Sequence, residues 1–198
     1  MSARVVAGLL LAAGEGARLG RPKAVIELGG ETLARRGARL LRAGGCAPVL
    51  VVLGAADTAV PDARIVRNPD WRSGMGSSLR AGLEALDGAA DGPDAVVVAL
   101  ADQPLVSAEA VRRLRAAHAD GARVAAATYN GAVRNPVLLG REHWPAVRAM
   151  AEGDVGARPF LRSHPDVTEV PCDGIAAADD IDTADDLARL RELLNGSE

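Results

Sequence analysis

The chain has 198 residues and a formal net charge of −3, and 25% of its residues are charged. This length suits one domain, residues 1–198, whose core is large enough to fold without disulfide or metal staples. Because only 2% of the residues are aromatic and no basic excess is present, we do not expect a nucleic-acid partner.

The cysteines, histidines and apolar runs exclude further classes. Cys46 and Cys172 form no CxxC pair and are typical of buried or free thiols in a reducing compartment. The 3 histidines lack the spacing of a zinc site. The longest apolar stretch, Val5 to Ala13, is far shorter than a membrane span, and no signal-peptide pattern precedes it. We therefore expect a cytoplasmic protein that does not contact membranes.

The predicted elements alternate between strands and helices. A buried strand at Val5–Leu11 precedes a glycine-rich loop, and an amphipathic helix follows from Thr32 to Ala43. The next predicted elements, in order, are strands at 48–54 and 63–68, a helix at 74–86 and a strand at 94–102. After these we predict a helix at 107–118 capped by Ser107, strands at 122–128 and 135–140, and helices at 141–150, 155–163 and 184–194.

This alternation predicts an α/β fold. We expect a three-layer α/β/α, Rossmann-like arrangement with a mostly parallel sheet and helices on both faces. Thr183 and Asp186 form a capping box for the last helix. Ligands of such sheets bind at the carboxyl ends of the strands, where both glycine loops and Asp102 are expected to lie.

The loop after the first strand belongs to the segment LLLAAGEGARLGRPKA, residues 9–24. It is not a Walker A loop, because Gly20 is followed by Arg21, Pro22 and Lys23 and not by Lys-Ser/Thr. It is not a dinucleotide fingerprint, because the third glycine, Gly20, comes one residue late and Pro22 prevents an uninterrupted helix. The remaining interpretation is an anion-binding loop of backbone N–H groups with Arg18 and Lys23 as cationic arms. Lys23 is the single lysine of the sequence. The alternative is a flexible surface turn with stray charges.

A second glycine stretch places Gly76, Ser77 and Ser78 at the start of a helix. Free N–H groups, two hydroxyls and the helix dipole favour an anion or a polar base edge there. The alternative is that Ser77 or Ser78 is simply the N-cap of that helix.

Carboxylates supply a candidate metal site. Asp102 ends an apolar strand, where a carboxylate is costly unless it is paired or metal-bound. The acidic run at 179–186 offers Asp180 and Asp182 as further ligands, whereas Asp185 and Asp186 are explained by the helix dipole. Magnesium usually takes one or two protein carboxylates plus nucleotide phosphates, so Asp102 with Asp182 would satisfy it. The basic start and the acidic end of the chain are either two solvated faces or two halves of one site.

Together these motifs resemble the molybdenum-cofactor cytidylyltransferase family, within the nucleotidyltransferase superfamily of MobA-like, nucleotide-diphospho-sugar-transferase-like fold. The matching pieces are LAAGEGARLGRPKA (11–24), NPDWRSGMGSSLRAG (68–82), ADQPLV (101–106), RNPVLLGREHW (134–144), GDVGAR (153–158) and DIDTADDL (180–187). LAAG with GMGSSL resembles the cytidylyl branch more than the guanylyl branch. Departures from the family pattern are Glu15-Gly16, Leu19 and Ala184.

The resemblance implies a role for each matching residue. Leu11, Ala12, Ala13 and Gly14 would hold the cytosine and ribose end of the nucleotide, and Arg18 and Lys23 the triphosphate. Gly76, Ser77 and Ser78 would contribute to base or phosphate recognition, and Gly153 to Arg158 would line the pterin side. Asp102 and Asp182 would bind Mg²⁺, with Lys23, Arg18 and Asp102 forming the catalytic set.

The implied activity is transfer of CMP from CTP to the phosphate of molybdopterin, with release of pyrophosphate. A molybdoenzyme or its chaperone would be the recipient of the product. Three alternatives stay open: an NAD(P)H-dependent enzyme similar to the nicotine blue oxidoreductases, a nucleotidyltransferase for another phosphorylated acceptor, and a nucleotide-binding accessory protein without turnover. Metal dependence separates the first alternative from the transferase.

Overall fold

The computed structural model describes residues 4–88 and 92–195, and its centre is a seven-stranded sheet. The strands, which include a separate two-stranded hairpin, are β1 (Val6–Ala12), β2 (Glu27–Leu28), β3 (Glu31–Thr32), β4 (Val49–Leu53), β5 (Arg64–Arg67), β6 (Ala95–Leu100), β7 (Val124–Tyr129), β8 (Ala132–Gly140) and β9 (Thr168–Pro171). The α-helices are α1 (Leu33–Ala43), α2 (Met75–Asp87), α3 (Ala108–Ala119), α4 (Trp144–Met150), α5 (Arg158–Ser163) and α6 (Ala184–Asn195).

The strand order of the large sheet is β5-β4-β1-β6-β8-β7-β9. Its strands all run parallel to β1 except β8, which pairs antiparallel with both β6 and β7. The expectation of a mostly parallel sheet is therefore confirmed. The strands β2 and β3 form their own antiparallel hairpin. Within the described residues, no helix is both long and apolar enough to cross a membrane.

Helices cover both faces of the sheet because its central strands are apolar on both sides. In β1, Leu10 contacts one core cluster and Leu9 the other, as the two-residue period of a strand requires. The first cluster is completed by buried residues of α1, α3 and α6: Leu41, Leu114 and Leu190. The second is completed by buried residues of α2, α4 and α5: Leu83, Trp144 and Phe160. The three-layer arrangement follows.

Side-chain caps are observed at three helices, and those at Ser107 and Thr183 were predicted. The side chains of Thr32 and Ser107 accept hydrogen bonds from N–H groups in the first turns of α1 and α3. The backbone N–H of Thr183 donates to Asp186 Oδ2 at 2.9 Å, and the N–H of Asp186 donates to Thr183 Oγ1 at 3.2 Å. These contacts form the capping box at α6, since each residue satisfies an N–H group of the other.

Some predicted bounds are wrong. The strand predicted at 94–102 ends at Leu100, so Asp102 lies in the following turn, and the helix predicted at 155–163 begins only at Arg158. The strand predicted at 135–140 begins at Ala132, and residues 141–143 form a separate 3₁₀ turn before α4. The strand β9 and the β2–β3 hairpin were not predicted. The hairpin strands have two residues each and β9 is a four-residue edge strand ending in proline, so no period is visible in them.

The sheet brings distant segments together at its carboxyl edge. The strands β1 and β6 are neighbours, and one residue beyond the end of β6 the N–H of Ala101 still donates to the carbonyl of Leu11 in β1, at 3.0 Å. The acidic segment joins the same edge, because the N–H of Ile181 donates to the carbonyl of Asp102 at 2.8 Å. The loop after β1, the turn after β6 and the acidic segment before α6 therefore surround one site.

Candidate functional site

Lys23 stands between two carboxylates at this edge. Its Nζ lies 2.7 Å from Asp102 Oδ2 and 2.7 Å from Asp182 Oδ1. Pro22 ends the glycine loop, and Lys23 begins a single 3₁₀ turn. The backbone N–H of Lys23 donates to the carbonyl of Gly14 at 3.3 Å. The side chains of Lys23 and Asp102 are 18% and 20% exposed and that of Asp182 is 45% exposed, so the group is half-buried with one open side.

The charge of Lys23 is retained despite this burial. Burial by itself lowers the pKa of an ammonium, but the charges and hydrogen bonds of Asp102 and Asp182 outweigh it, so the pKa of Lys23 lies above its usual value. A protonated lysine beside two carboxylates can bind phosphate oxygens from its remaining donor position.

The glycine loop offers unpaired backbone donors. Gly16 and Gly20 adopt left-handed conformations with φ of 62° and 68°, and a Cβ on Gly16 would overlap the carbonyl oxygen of Arg21. Within the part of the chain that the structure describes, the N–H groups of residues 14–16 have no acceptor. Arg18 is exposed and lines the same cleft. Successive free N–H groups beside a cation form a concave anion-binding surface.

The cleft beside these groups is lined by residues of β1, β6, β8 and β9. Its apolar part includes Leu11, Ala12 and Ala13 at the end of β1. From β8 and α5 it is lined by three arginines, for which the described residues provide no ion-pair partner: Arg134, Arg158 and Arg162. Only Arg158 belongs to a segment that the resemblance assigned to the acceptor.

The start of α2 differs from the expectation. The N-cap is Gly74 rather than Ser77 or Ser78, and as a glycine it has no side chain to accept a hydrogen bond from the first turn. The N–H of Met75 donates to Asp154 Oδ1 at 3.4 Å and the N–H of Gly76 donates to the carbonyl of Gly153 at 2.8 Å. The prediction of free N–H groups at this helix start is therefore wrong, because the loop before α5 packs against it.

The two serines of α2 have different surroundings. The hydroxyl of Ser77 accepts from Asn68 Nδ2 at 2.8 Å and is also bonded to the carbonyls of Gly74 and Asp70, at 2.8 and 3.0 Å. The Ser78 hydroxyl accepts from the same Asn68 nitrogen at 3.0 Å, and Ser78, although buried, is among the residues that line the cleft. Ser77 is thus fully used inside the protein, whereas Ser78 has a proton left for a ligand. Its contact with a nucleotide stays a prediction.

Two polar side chains at the edge were not predicted. Buried Asn68 follows β5 and joins Ser77 to Ser78, and buried Gln103 follows Asp102 and donates to Asp180 Oδ1 at 2.7 Å. A signal was present for both, since Asn68 is the last residue of one predicted strand and Gln103 directly follows another, and side chains at such positions lie at the carboxyl edge. Asp180 therefore contacts Gln103, while Asp182 contacts Lys23.

The donor set fits a divalent cation such as magnesium. Two carboxylates, Asp102 and Asp182, direct oxygens at the same Lys23 ammonium, so they already share one positive charge. Within residues 4–88 and 92–195, no cluster of three or more His, Cys, Asp or Glu side chains suits a metal ion. Asp102 and Asp182 could therefore supply only two protein ligands to a divalent cation, and water and substrate phosphates would have to complete its shell, as they commonly do for magnesium.

Comparison with known proteins identifies the family. Residues 8–167 match the family of the MobA-like NTP transferase domain. The chain belongs to this family. The predicted MobA-like nucleotidyltransferase superfamily and the nucleotide-diphospho-sugar-transferase-like fold are thus confirmed, and the chain is an enzyme of the nucleotidyltransferase family. The match includes Lys23, Asp102 and Ser78, whereas Asp182 lies beyond it.

Individual relatives of this MobA-like domain have different names. The chain is 41% identical to the nicotine blue oxidoreductase of Paenarthrobacter nicotinovorans, in an alignment that covers 93% of this chain and 96% of the relative. It is 36% identical over 139 residues to a probable molybdenum cofactor guanylyltransferase of Opitutus terrae, covering 65% and 68%. The structure of Rv0371c from Mycobacterium tuberculosis in complex with manganese superposes with a TM-score of 0.74 at 26% identity, covering 96% and 100%.

Proposed function

We propose that this MobA-like enzyme transfers CMP from CTP to the phosphate of a molybdopterin-type acceptor and releases pyrophosphate. The observation that carries this proposal is the convergence of Lys23 with Asp102 and Asp182 beside a loop of unpaired N–H groups. Such a combination suits a polyphosphate with its cation, because N–H groups and an ammonium bind the phosphate oxygens while carboxylates bind the metal.

The protein groups have distinct tasks in this reaction. The N–H groups of residues 14–16, together with Arg18 and Lys23, bind and orient the triphosphate. An acceptor phosphate oxygen then bonds to the α-phosphorus as the bond to the β-phosphate oxygen breaks, and pyrophosphate leaves with that electron pair. A divalent cation held by Asp102 and Asp182 would stabilise negative charge on the phosphates. Catalysis is therefore positioning and charge stabilisation, and the side chains form no covalent intermediate.

The choice of CTP is supported at the nucleoside end of the cleft. Leu11 to Gly14 carry the LAAG sequence that resembles the cytidylyl branch. The hydroxyl of Ser78 accepts from Asn68 and Ser78 is one of the residues that line the cleft, so we assign its hydroxyl proton to an acceptor atom of a pyrimidine edge. A hydroxyl that must donate discriminates between base edges, because a mismatched edge leaves it unpaired.

The acceptor end of the cleft supports an anionic ring compound. Arg134, Arg158 and Arg162 line it together with the exposed apolar side chains of Val133 and Val155. Arginine forks bind phosphate and apolar surfaces cover a flat ring, as a molybdopterin phosphate requires. Delivery of the product to a molybdoenzyme or its chaperone is part of this proposal.

A second function is favoured by one observation, the 41% identity with a nicotine blue oxidoreductase over nearly the whole chain. In that case the glycine loop would hold the pyrophosphate of NADH or NADPH. The carboxylate pair argues for the transferase, because hydride transfer has no use for two carboxylates placed around a lysine.

A ligand panel separates the two functions. Thermal shifts would be measured with CTP, GTP, ATP, UTP, NADH and NADPH, each with and without Mg²⁺, followed by pyrophosphate release with CTP and molybdopterin. We expect stabilisation by CTP only when Mg²⁺ is present, and loss of this effect in Asp102→Asn. Stabilisation by NADPH that is independent of metal and unchanged in Asp102→Asn would overturn the transferase proposal.

A further inference from the structure

The acidic segment at 177–182 reaches the site without regular secondary structure of its own. Two backbone hydrogen bonds fasten it to the turn after β6: Ala177 N–H donates to the carbonyl of Leu105 at 3.3 Å, and Ile181 N–H donates to that of Asp102 at 2.8 Å. A segment with so few backbone bonds needs side-chain contacts to hold a fixed position. Asp182 itself is held on its C-terminal side, because its N–H donates to Asp186 Oδ2 at 3.2 Å. The residues that precede it depend on contacts from the turn after β6.

Gln103 supplies such a contact from the turn side. Its side chain is buried, and Nε2 lies 2.7 Å from Asp180 Oδ1 and 3.5 Å from the carbonyl oxygen of Ala178. One buried amide therefore reaches the acidic segment at two places. Asp180 and Asp182 flank Ile181, so a restraint on Asp180 also restrains Asp182.

The other end of the same amide is unsatisfied. Gln103 Oε1 is buried and has no hydrogen-bond partner among the described residues. Rotating the amide by half a turn would place this oxygen against the carboxylate of Asp180, so the observed orientation is the one that keeps the contact. A buried acceptor without a partner costs free energy of folding, so its presence in Gln103 requires an explanation. The contact of the donor end with the acidic segment provides one.

We propose that Gln103 is a positioning residue that holds residues 178–182 so that Asp182 faces Asp102 and Lys23. The consequence for metal binding depends on the proposed function, whereas the restraint on the segment does not. The donor and acceptor of the pair can be exchanged, which provides a matched test: in Gln103→Glu with Asp180→Asn, the asparagine nitrogen donates to the new carboxylate.

Two measurements on the full chain test the proposal. Hydrogen exchange followed by mass spectrometry reports the protection of the Ala177 and Ile181 N–H groups in metal-free protein. Electron paramagnetic resonance with Mn²⁺ alone reports cation affinity. We expect Gln103→Met and Gln103→Glu to speed exchange in this segment and to weaken Mn²⁺ binding by about tenfold, the scale of losing a residue that orients a ligand. Asp180→Asn retains an acceptor, so it should preserve the protection.

The swapped double variant decides the outcome. Restored protection and restored Mn²⁺ affinity in Gln103→Glu/Asp180→Asn support the proposal, because the swap exchanges donor and acceptor, and with them the position of the carboxylate, while it keeps the contact and the total charge. Wild-type protection in Gln103→Met, or failure of the double variant to recover the protection lost in Gln103→Glu, overturns it. If wild-type protein binds no Mn²⁺ even with CTP, the proposed function fails, and the exchange measurement alone still decides the role of Gln103.

Discussion

Lys23 Nζ lies 2.7 Å from Asp102 Oδ2, although 79 residues separate the two in the sequence. The contact exists because β1 and β6 are adjacent parallel strands and both residues follow their carboxyl ends. It brings the chain's single lysine and a half-buried carboxylate to the same edge as the unpaired N–H groups of the glycine loop. Substitutions at this edge can therefore separate the groups that act on a nucleotide from those that hold the fold together.

Removal of the Lys23 ammonium should slow nucleotidyl transfer. We expect Lys23→Met to lower kcat by about 10²–10³, the usual loss when one preorganised charge contact to a transition state is removed. Pyrophosphate release with saturating CTP measures the effect. Lys23→Arg is the control that keeps the charge, and it should recover only part of the rate because a planar fork differs from a point charge. A wild-type rate in Lys23→Met would contradict the role.

Asp182 and Asp185 form a matched pair of aspartates in one segment. Asp182 contacts Lys23, whereas Asp185 is exposed in the first turn of α6. Asp182→Asn should raise the Mg²⁺ concentration for half-maximal activity by about 10–100-fold, while Asp185→Asn should leave it unchanged. A magnesium titration of the initial rate checks this. Equal shifts in both variants would mean that overall charge, not coordination, sets the metal requirement.

Ser77 and Ser78 should separate stability from nucleotide binding. Ser77→Ala removes a hydroxyl bonded to Asn68, Asp70 and Gly74, so the free energy of unfolding should fall by about 1–3 kcal/mol with little change in KM for CTP. Ser78→Ala should raise KM for CTP, since Ser78 lines the cleft and Ser77 does not. Urea unfolding and steady-state kinetics measure the two effects. A higher KM in Ser77→Ala alone would reverse these assignments.

Gly76 is required by close packing. A Cβ at this position would lie 2.7 Å from the carbonyl carbon and oxygen of Ala151, so Gly76→Ala should destabilise the fold by about 1–3 kcal/mol. Gly88 ends the same helix with φ of −69°, and among residues 4–88 and 92–195 a Cβ added there would have only the carbonyl oxygen of Glu84 nearby, at 3.8 Å. The free energy of unfolding of Gly88→Ala should therefore lie within about 0.5 kcal/mol of the wild-type value, as measured by thermal unfolding. Similar losses in both variants would refute the packing explanation.

Cys46 should make folding sensitive to alkaline pH. Burial raises the pKa of its thiol to about 12, against a weaker opposing effect of Arg115. Between the ordinary thiol pKa of 9.0 and this value, the unfolded thiol ionises while the folded one stays protonated, so stability falls as pH rises. The free energy of unfolding of Cys46→Ala should therefore fall by about 1.4 kcal/mol less per pH unit in this window than that of wild type. Urea unfolding at several pH values measures this, and the same pH dependence in both proteins would contradict the prediction.

Much of the fold was predictable because its signals are local. The strand β1 is apolar on both faces, Pro22 interrupts the loop, and the caps at Thr32, Ser107 and Thr183 involve residues within one helical turn. These features depend on near neighbours in the chain, which a sequence displays directly. The order of elements then predicts a parallel sheet and the edge at which ligands bind.

The missed features depend on distant partners. Nothing near Gly76 in the sequence indicates that the carbonyl of Gly153 occupies its N–H, or that Asn68 holds both serines of α2. The reversed direction of β8 and the short β9 likewise depend on which strand lies alongside, and not on a period within each segment.

For the site itself, the sequence determined the kinds of groups: a glycine loop, a single lysine, and carboxylates after a strand and before the last helix. Only the tertiary structure decided which of them meet. It joined Lys23 to Asp102 and Asp182, directed Asp180 to Gln103, and closed the start of α2 to outside anions. The physical reason is that charge and backbone preference are properties of residues, whereas distances between segments follow from packing both faces of one sheet.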